Sequence, residues 1–243
     1  MRHRYGDHFH QFGDLLLPRD AEGPLPVAVL LHPGFWREEF SLEISEDLAR
    51  DLAGRGWAAW NVEYRRVGEG SGGGYPATLE DVAAAIDFLQ TLDAPLDLAR
   101  VVTVGQSAGG HLAIWAASRE APAVPLAGAV SQAGTLDLRA ADRDGLGDGA
   151  TTEFMGGGAD ERSEAYADAS PIERVPLGVP QLLVHGEADD VVPPSQSSAY
   201  AEAARAAGDD VELVLRPGED HFVHTDPANP AWADVVKWLE RFA

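Results

Sequence analysis

The sequence predicts an α/β fold, a mostly parallel sheet with helices on both faces, and three observations carry that expectation. Short β-branched or aliphatic runs alternate with helix-length amphipathic stretches along almost the whole chain, which implies parallel pairing with crossover helices. Hydrophobic residues make up 45% and charged residues 24%, the balance of an ordinary globular protein and not of a disordered one. The 243 residues fall in the range of one larger domain, given about 150 residues per domain as a guide.

Taken in order, Pro26 to His32 is a compact apolar run stopped by Pro33-Gly34 and reads as a buried strand. Leu42 to Arg55 places Ile44, Leu48 and Leu52 at four-residue steps and meets Gly54 and Gly56 near its end, the pattern of a helix. Trp57 to Val62 is the next strand. Thr78 opens a helix with Asp81 placed to satisfy its first turn and Val82, Ala85, Ile86 and Leu89 as its apolar stripe. Val101 to Val104 is a strand, and the following helix includes His111 to Ser118. Strands are expected at Leu126 to Val130, Pro180 to Val184 and Val211 to Leu215, with helices at Ser195 to Ala207 and Ala231 to Phe242. Between them, Thr135 to Val175 breaks the rhythm with a Gly-, Asp- and Ala-rich stretch. We read residues 1–243 as a single domain and 135–175 as a small cap insert over the carboxyl ends of the strands.

Composition narrows the partners. Lys and Arg number 18 against 40 Asp and Glu, a formal charge of −22. Phosphate backbones and anionic membranes are bound by positive charge, so neither nucleic acid nor a membrane surface is expected as a partner. Cysteine is absent, which excludes disulfides, thiolate metal sites and cysteine nucleophiles, and fits a cytoplasmic location. No apolar leader follows the N-terminal charges, and the run Val27 to Leu31 is far too short to cross a bilayer.

The strongest chemical signal is Gly105-Gln106-Ser107-Ala108-Gly109, a G-x-S-x-G run between a strand and a helix. A nucleophilic serine there sits on a strained turn that small neighbours allow to close, above a helix N-terminus that favours negative charge. Such a serine needs a base, and the base needs an orienting carboxylate, in the chain order Ser, acid, His. His185-Gly186-Glu187-Ala188-Asp189-Asp190 follows one late strand and Gly218-Glu219-Asp220-His221 the next, so both sets emerge at the same sheet edge.

These elements together resemble the α/β-hydrolase superfamily: the elbow, the H-G-x-x-D-x-x-V-P run, the late G-x-x-H, and His32-Pro33-Gly34-Phe35-Trp36. The last is similar to the H-G-G-x-W element of bacterial esterases and kynurenine formamidase-like members, and to the oxyanion loop of hormone-sensitive-lipase relatives. The resemblance runs from about Gly13 to Phe242. It implies Ser107 as nucleophile, Asp189 as acid in preference to Asp190, and His221 as base in preference to His224. It implies an oxyanion hole from the N–H groups of Ala108, Gly34 and Phe35. Pro33 departs from the pattern and has no N–H to give. His32 is expected to brace the loop, and Trp36 and Phe222 to line an aromatic-friendly substrate pocket.

The implied activity is hydrolysis of small or aryl acyl esters through an acyl-serine, with an arylformamidase-like amide hydrolysis as the alternative. The partner is then a small-molecule acyl ester or amide; no metal or other cofactor is required, and the oligomeric state is open. A prolyl-oligopeptidase-type peptidase shares the layout, but 243 residues leave no room for its gating domain. A non-catalytic receptor on the same fold would be expected to lack a triad member. Elsewhere, Gly68 to Gly73 matches a dinucleotide fingerprint but reads as a flexible loop, and His3, His8 and His10 as a solvated terminus. Trp60, Trp115 and Trp238 read as core, and Arg65 and Arg66 as partners in surface ion pairs.

Overall fold

The computed structural model describes residues 1–20 and 23–243. Its strands are β1 (Arg2–Arg4), β2 (Phe12–Leu16), β3 (Leu25–Leu31), β4 (Ala58–Val62), β5 (Leu96–Gln106), β6 (Gly128–Gln132), β7 (Gln181–Gly186) and β8 (Val211–Arg216). They form one eight-stranded sheet in the order β1-β2-β4-β3-β5-β6-β7-β8. From β4 to β8 every pairing is parallel, while β1 and β2 add an antiparallel edge. This is the expected α/β-hydrolase arrangement.

The helices that pack on the two faces of the sheet are α1 (Glu46–Gly54), α2 (Ala77–Asp87), α3 (Ala108–Ala117), α7 (Ser195–Ala207) and, after the last strand, α8 (Pro230–Leu239). Alternation along β3 divides the core: Val27, Val29 and Leu31 pack beneath α2 and α3, while Ala28 and Leu30 face α1 and α8. Tyr200, Ala201 and Ala204 of α7 complete the α3 side against Ile114 and Leu183. On the other face, Trp232 Nε1 donates to Asp51 Oδ2 at 2.7 Å and joins α8 to α1. Because the central strands are parallel, the loops after β3, β5, β7 and β8 all open at one edge, which is where the candidate residues lie.

The segment 135–175 carries three short helices, α4 (Leu138–Arg143), α5 (Leu146–Met155) and α6 (Ser163–Ala169). Left-handed backbone at Gly145, Gly147, Asp148 and Gly149 turns the chain sharply into α5, which explains the glycine-rich composition there. Arg37 pairs with Glu153 at 2.8 Å and fastens α5 to the loop after β3.

Several expectations need correction. The N-terminus is not a solvated tail: β1 and β2 pair in a register that sets Arg2 opposite Asp14, and the two make a 2.8 Å ion pair. His10 is half-buried within hydrogen-bonding distance of Ser71 Oγ, at 3.2 Å, and burial, helped by Arg66, pushes it down to about 4. Residues 68–73 form a turn that is exposed at Gly68, Glu69, Gly70 and Gly72 and anchored at Ser71 and Gly73. Ser71 is fully buried and accepts from Arg66 N–H, and a side chain at Gly73 would strike the backbone of Arg65 and Arg66. Arg65 and Arg66 do form ion pairs, but inside the protein, with Asp81 at 2.6 Å and Glu63 at 3.0 Å. Trp60 and Trp238 are core; Trp115 is only partly buried, with its indole N–H on the Asp168 carbonyl. No described helix is long and apolar enough to cross a membrane.

Candidate active site

Ser107 ends β5 and begins α3 with φ 55° and ψ −119°, a conformation that a non-glycine residue holds only under constraint. The constraint is visible on both sides. A Cβ at Gly105 would lie 2.1 Å from the Gly109 carbonyl oxygen, and one at Gly109 would lie 1.9 Å from that of Leu31. Only glycine at both positions lets β5, α3 and β3 approach this closely. Ser107 N–H donates to Gln132 on β6 at 2.8 Å, and its carbonyl accepts from His111 N–H at 3.0 Å, so the turn is pinned at both ends.

Asp189 follows β7 in a turn whose Oδ1 accepts from Val191 N–H at 2.9 Å and Val192 N–H at 2.8 Å. Its Oδ2 accepts from His221 Nδ1 at 2.7 Å and lies 3.2 Å from His185 Nε2. Burial by itself would raise this carboxyl; hydrogen bonds from His185, His221 and Val192 overcome that and hold it well below the usual carboxylate range. A charged Asp189 makes His221 Nδ1 the protonated nitrogen and leaves Nε2 as the free acceptor. The carbonyl of His221 accepts from Gln106 Nε2 at 2.7 Å, which ties the base to the elbow.

Ser107 and His221 line one apolar cavity of about 140 Å³ together with Gly34, Phe35, Phe40, Ile44 and Phe222. They share this space without a direct hydrogen bond to each other; catalytic contacts of this kind often close only with substrate. A second, much smaller space of about 10 Å³ lies on the other flank of Ser107, lined by Phe35, Trp36, Ala108, Leu146 and Ala150 among others. Phe35 and Trp36 hold positive φ of 55° and 56°, so the loop after β3 is strained as the elbow is. The N–H groups of Gly34, Phe35 and Ala108 have no acceptor among the described residues.

The expected residues therefore come together, with two adjustments. Phe222 stands 69% exposed at the cavity mouth. Trp36 is 2% exposed and does not line the larger cavity, because its indole N–H donates to His111 Nδ1 at 3.2 Å and its ring stacks on Phe154. His111 in turn reaches the Ala169 carbonyl at 2.9 Å, linking this loop to the end of α6.

Asp190 is exposed, and His224 is buried away from the cavity. His32 bridges Glu63 Oε1 at 3.0 Å and the Pro33 carbonyl at 2.7 Å, and stacks on Tyr64. That is the bracing role expected of it. His185 is the residue sequence reasoning passed over, although it opens the same H-G-x-x-D run as Asp189. It is fully buried between Ser197 Oγ and the Val192 carbonyl.

Two of these histidines make the fold acid-sensitive. Burial pushes His111 down to about 4; burial, then the neighbouring His185 and His221, pushes His224 down to about 3. The unfolded chain binds protons at both positions below 6.5, whereas the folded chain refuses them, so stability falls as pH drops from 6.5 toward 4. Both ring nitrogens of His224 lack partners, so His224→Leu should flatten this decline and raise the urea midpoint at pH 5. Urea titrations from pH 4.5 to 7.5 check it, and an unchanged pH slope would count against it.

The sequence profile of the prolyl oligopeptidase family matches residues 52–243, a span that takes in Ser107, Asp189 and His221. The chain belongs to the prolyl oligopeptidase family. Among its relatives, the esterase LipC of Mycobacterium tuberculosis is 25% identical over 89% of this chain and 58% of its own length. The isoprenylcysteine alpha-carbonyl methylesterase ICME of Arabidopsis thaliana is 28% identical over 89% of this chain and 55% of its own length. This family member thus spans somewhat over half the length of the curated relatives it matches. Among solved structures, a truncated carbohydrate esterase from gut microbiota superposes with a TM-score of 0.87 at 19% identity, covering 99% of this chain and 94% of that one. The thermophilic esterase Est2 of the planctomycete Thermogutta terrifontis superposes with a TM-score of 0.79 at 24% identity, covering 100% and 90%. At these identities the structural likeness speaks for the fold.

Proposed function

We propose that the protein is a serine carboxylesterase that hydrolyses small or aryl acyl esters, with 135–175 acting as a partial cap on a single catalytic domain. The observation that carries this reading is the 2.7 Å bond from His221 Nδ1 to a charged Asp189, beside the same apolar cavity as Ser107. His221 Nε2 takes the Ser107 proton as Oγ attacks the ester carbonyl. The unpaired N–H groups of Gly34, Phe35 and Ala108 receive the oxyanion that forms. Collapse of the tetrahedral intermediate breaks the ester C–O bond, and the imidazolium returns its proton to the departing alcohol oxygen. Water, deprotonated by His221, then releases the acid from acyl-Ser107, while Asp189 holds the tautomer and stabilises the imidazolium. No step calls on a metal or other cofactor.

The ester preference, over the peptide bonds for which the family is named, is supported by the esterase names of the relatives and by the small, apolar cavity beside Ser107. The test is hydrolysis of p-nitrophenyl acetate beside N-formylkynurenine, the arylformamidase-type substrate, using wild type and Asp189→Asn. Wild type should prefer the ester, and Asp189→Asn should lower kcat by ~10⁴-fold, as loss of the orienting carboxylate does in serine hydrolases. A preference for N-formylkynurenine, or a variant within a few-fold of wild type, would overturn the reading.

A further inference from the structure

The two spaces flanking Ser107 differ more than tenfold in volume, and the chemistry decides which part of the ester each one takes. We infer that the site is an acetyl-selective one, admitting an acyl group of acetyl size and an apolar alcohol of about the size of a benzene ring. The inference rests on the hydrolase reading above and narrows its substrate class.

His221 protonates the leaving oxygen, so the alcohol occupies the space that His221 lines. That is the cavity of about 140 Å³, walled by Pro33, Phe35, Phe40, Ile44 and Phe222. An apolar protein cavity of about 150 Å³ is known to hold benzene, so an aryl or short branched alkyl group fits this volume. Besides Ser107 and His221, the polar side chains lining it are Gln106 and Thr225. The Gln106 amide donates to the His221 carbonyl at 2.7 Å and the Thr225 hydroxyl to the Phe222 carbonyl at 3.3 Å, so the walls offer little free hydrogen bonding. A sugar alcohol would lose its water there without replacement partners.

The acyl chain must then lie on the flank that His221 does not line. That space measures about 10 Å³, close to the minimum of roughly 10–15 Å³ that accommodates a single water. It admits a methyl group and no more. Its walls are set: Trp36, Ala108, Ala150 and Thr151 are each at most 2% exposed, and Trp36 is held by His111 and stacked on Phe154. Leu146, at the start of α5, and Phe35, on the loop after β3, are the large wall residues that are only half-buried; Leu146 is the one the insert contributes. Acyl length is therefore limited by the insert, through Leu146, and by the strained loop after β3, through Trp36.

A p-nitrophenyl ester series from acetate to hexanoate tests this in the full chain, with wild type and Leu146→Ala. For wild type, kcat/KM should fall by ~10-fold or more for each added methylene, the discrimination a closed apolar pocket achieves. Leu146→Ala should raise the butyrate-to-acetate ratio of kcat/KM by ~10-fold, since truncation opens the wall by about three methylene-sized groups. The wild-type profile stands whether or not the variant folds. A flat profile from acetate to hexanoate overturns the acetyl limit while leaving the esterase reading intact. An unchanged ratio in a folded Leu146→Ala removes the limit from the insert and overturns the inference. Failure to cleave any member of the series overturns the esterase reading and this inference with it.

Discussion

Ser107→Ala should lower kcat/KM toward p-nitrophenyl acetate by ~10⁴- to 10⁶-fold, leaving only the rate that binding and oxyanion donors supply without a nucleophile. The size of the effect follows from the chemistry assigned to one atom. Without Oγ there is no acyl-enzyme, and His221 has only water to activate for direct attack on the ester. The variant should fold as wild type does, because the Ser107 hydroxyl makes no hydrogen bond and the strained backbone at φ 55° is held by Gln132 and His111. Steady-state kinetics beside a thermal melt separate the two readouts. A loss of only a few-fold in a folded variant would mean that another group carries the reaction.

Glu63→Ala should destabilise the fold by ~3–5 kcal/mol, the cost of removing one partner from a buried ion pair. Glu63 is 2% exposed and sits at the end of β4, beneath the strained loop after β3. Its Oε1 meets His32 at 3.0 Å, Arg66 at 3.0 Å and Tyr64 N–H at 3.1 Å, and its Oε2 accepts from Leu42 N–H at 3.1 Å. Burial alone would raise this carboxyl, but His32, Arg66 and the Leu42 N–H together hold it below its ordinary value. The stabilisation is therefore present above the ordinary carboxylate value and is lost as pH falls through the folded one. Removing the carboxylate leaves the Arg66 guanidinium, 3% exposed, without its charge partner. The loop that presents Gly34 and Phe35 loses its brace as well, so kcat should fall along with stability. Urea denaturation at pH 7.5 measures the first effect, and a change below ~1 kcal/mol would show that the network contributes little.

What the sequence displayed was whatever short-range chemistry dictates. The parallel core was legible because β3, β4, β6 and β7 are short apolar runs between amphipathic stretches, and the elbow because its two glycines are forced by backbone contact. The edge strands escaped notice because β1 is three polar residues and β2 is defined by its pairing with β1 and β4, where Gly13 lies against the Trp60 ring. β5 starts five residues earlier than the apolar run suggested, since the charged Asp97 and Arg100 lie on its half-buried first stretch and interrupt the pattern. Trp36 lines the smaller space beside Ser107 and not the larger cavity, held there by a bond from its indole N–H. Its partner His111 lies 75 residues further on, and no local signal announces that bond. His185 hid in plain view, since the motif names it while its hydrogen bonds to Ser197 and Val192 appear only in three dimensions.

The most direct test of the account is the mass of the protein after reaction with a serine-directed fluorophosphonate, followed by peptide mapping. The account predicts one adduct per chain, on the peptide that contains Ser107, absent from Ser107→Ala and formed far more slowly in His221→Ala. An adduct that persists in Ser107→Ala, or a folded and active wild type that takes up none, would contradict it.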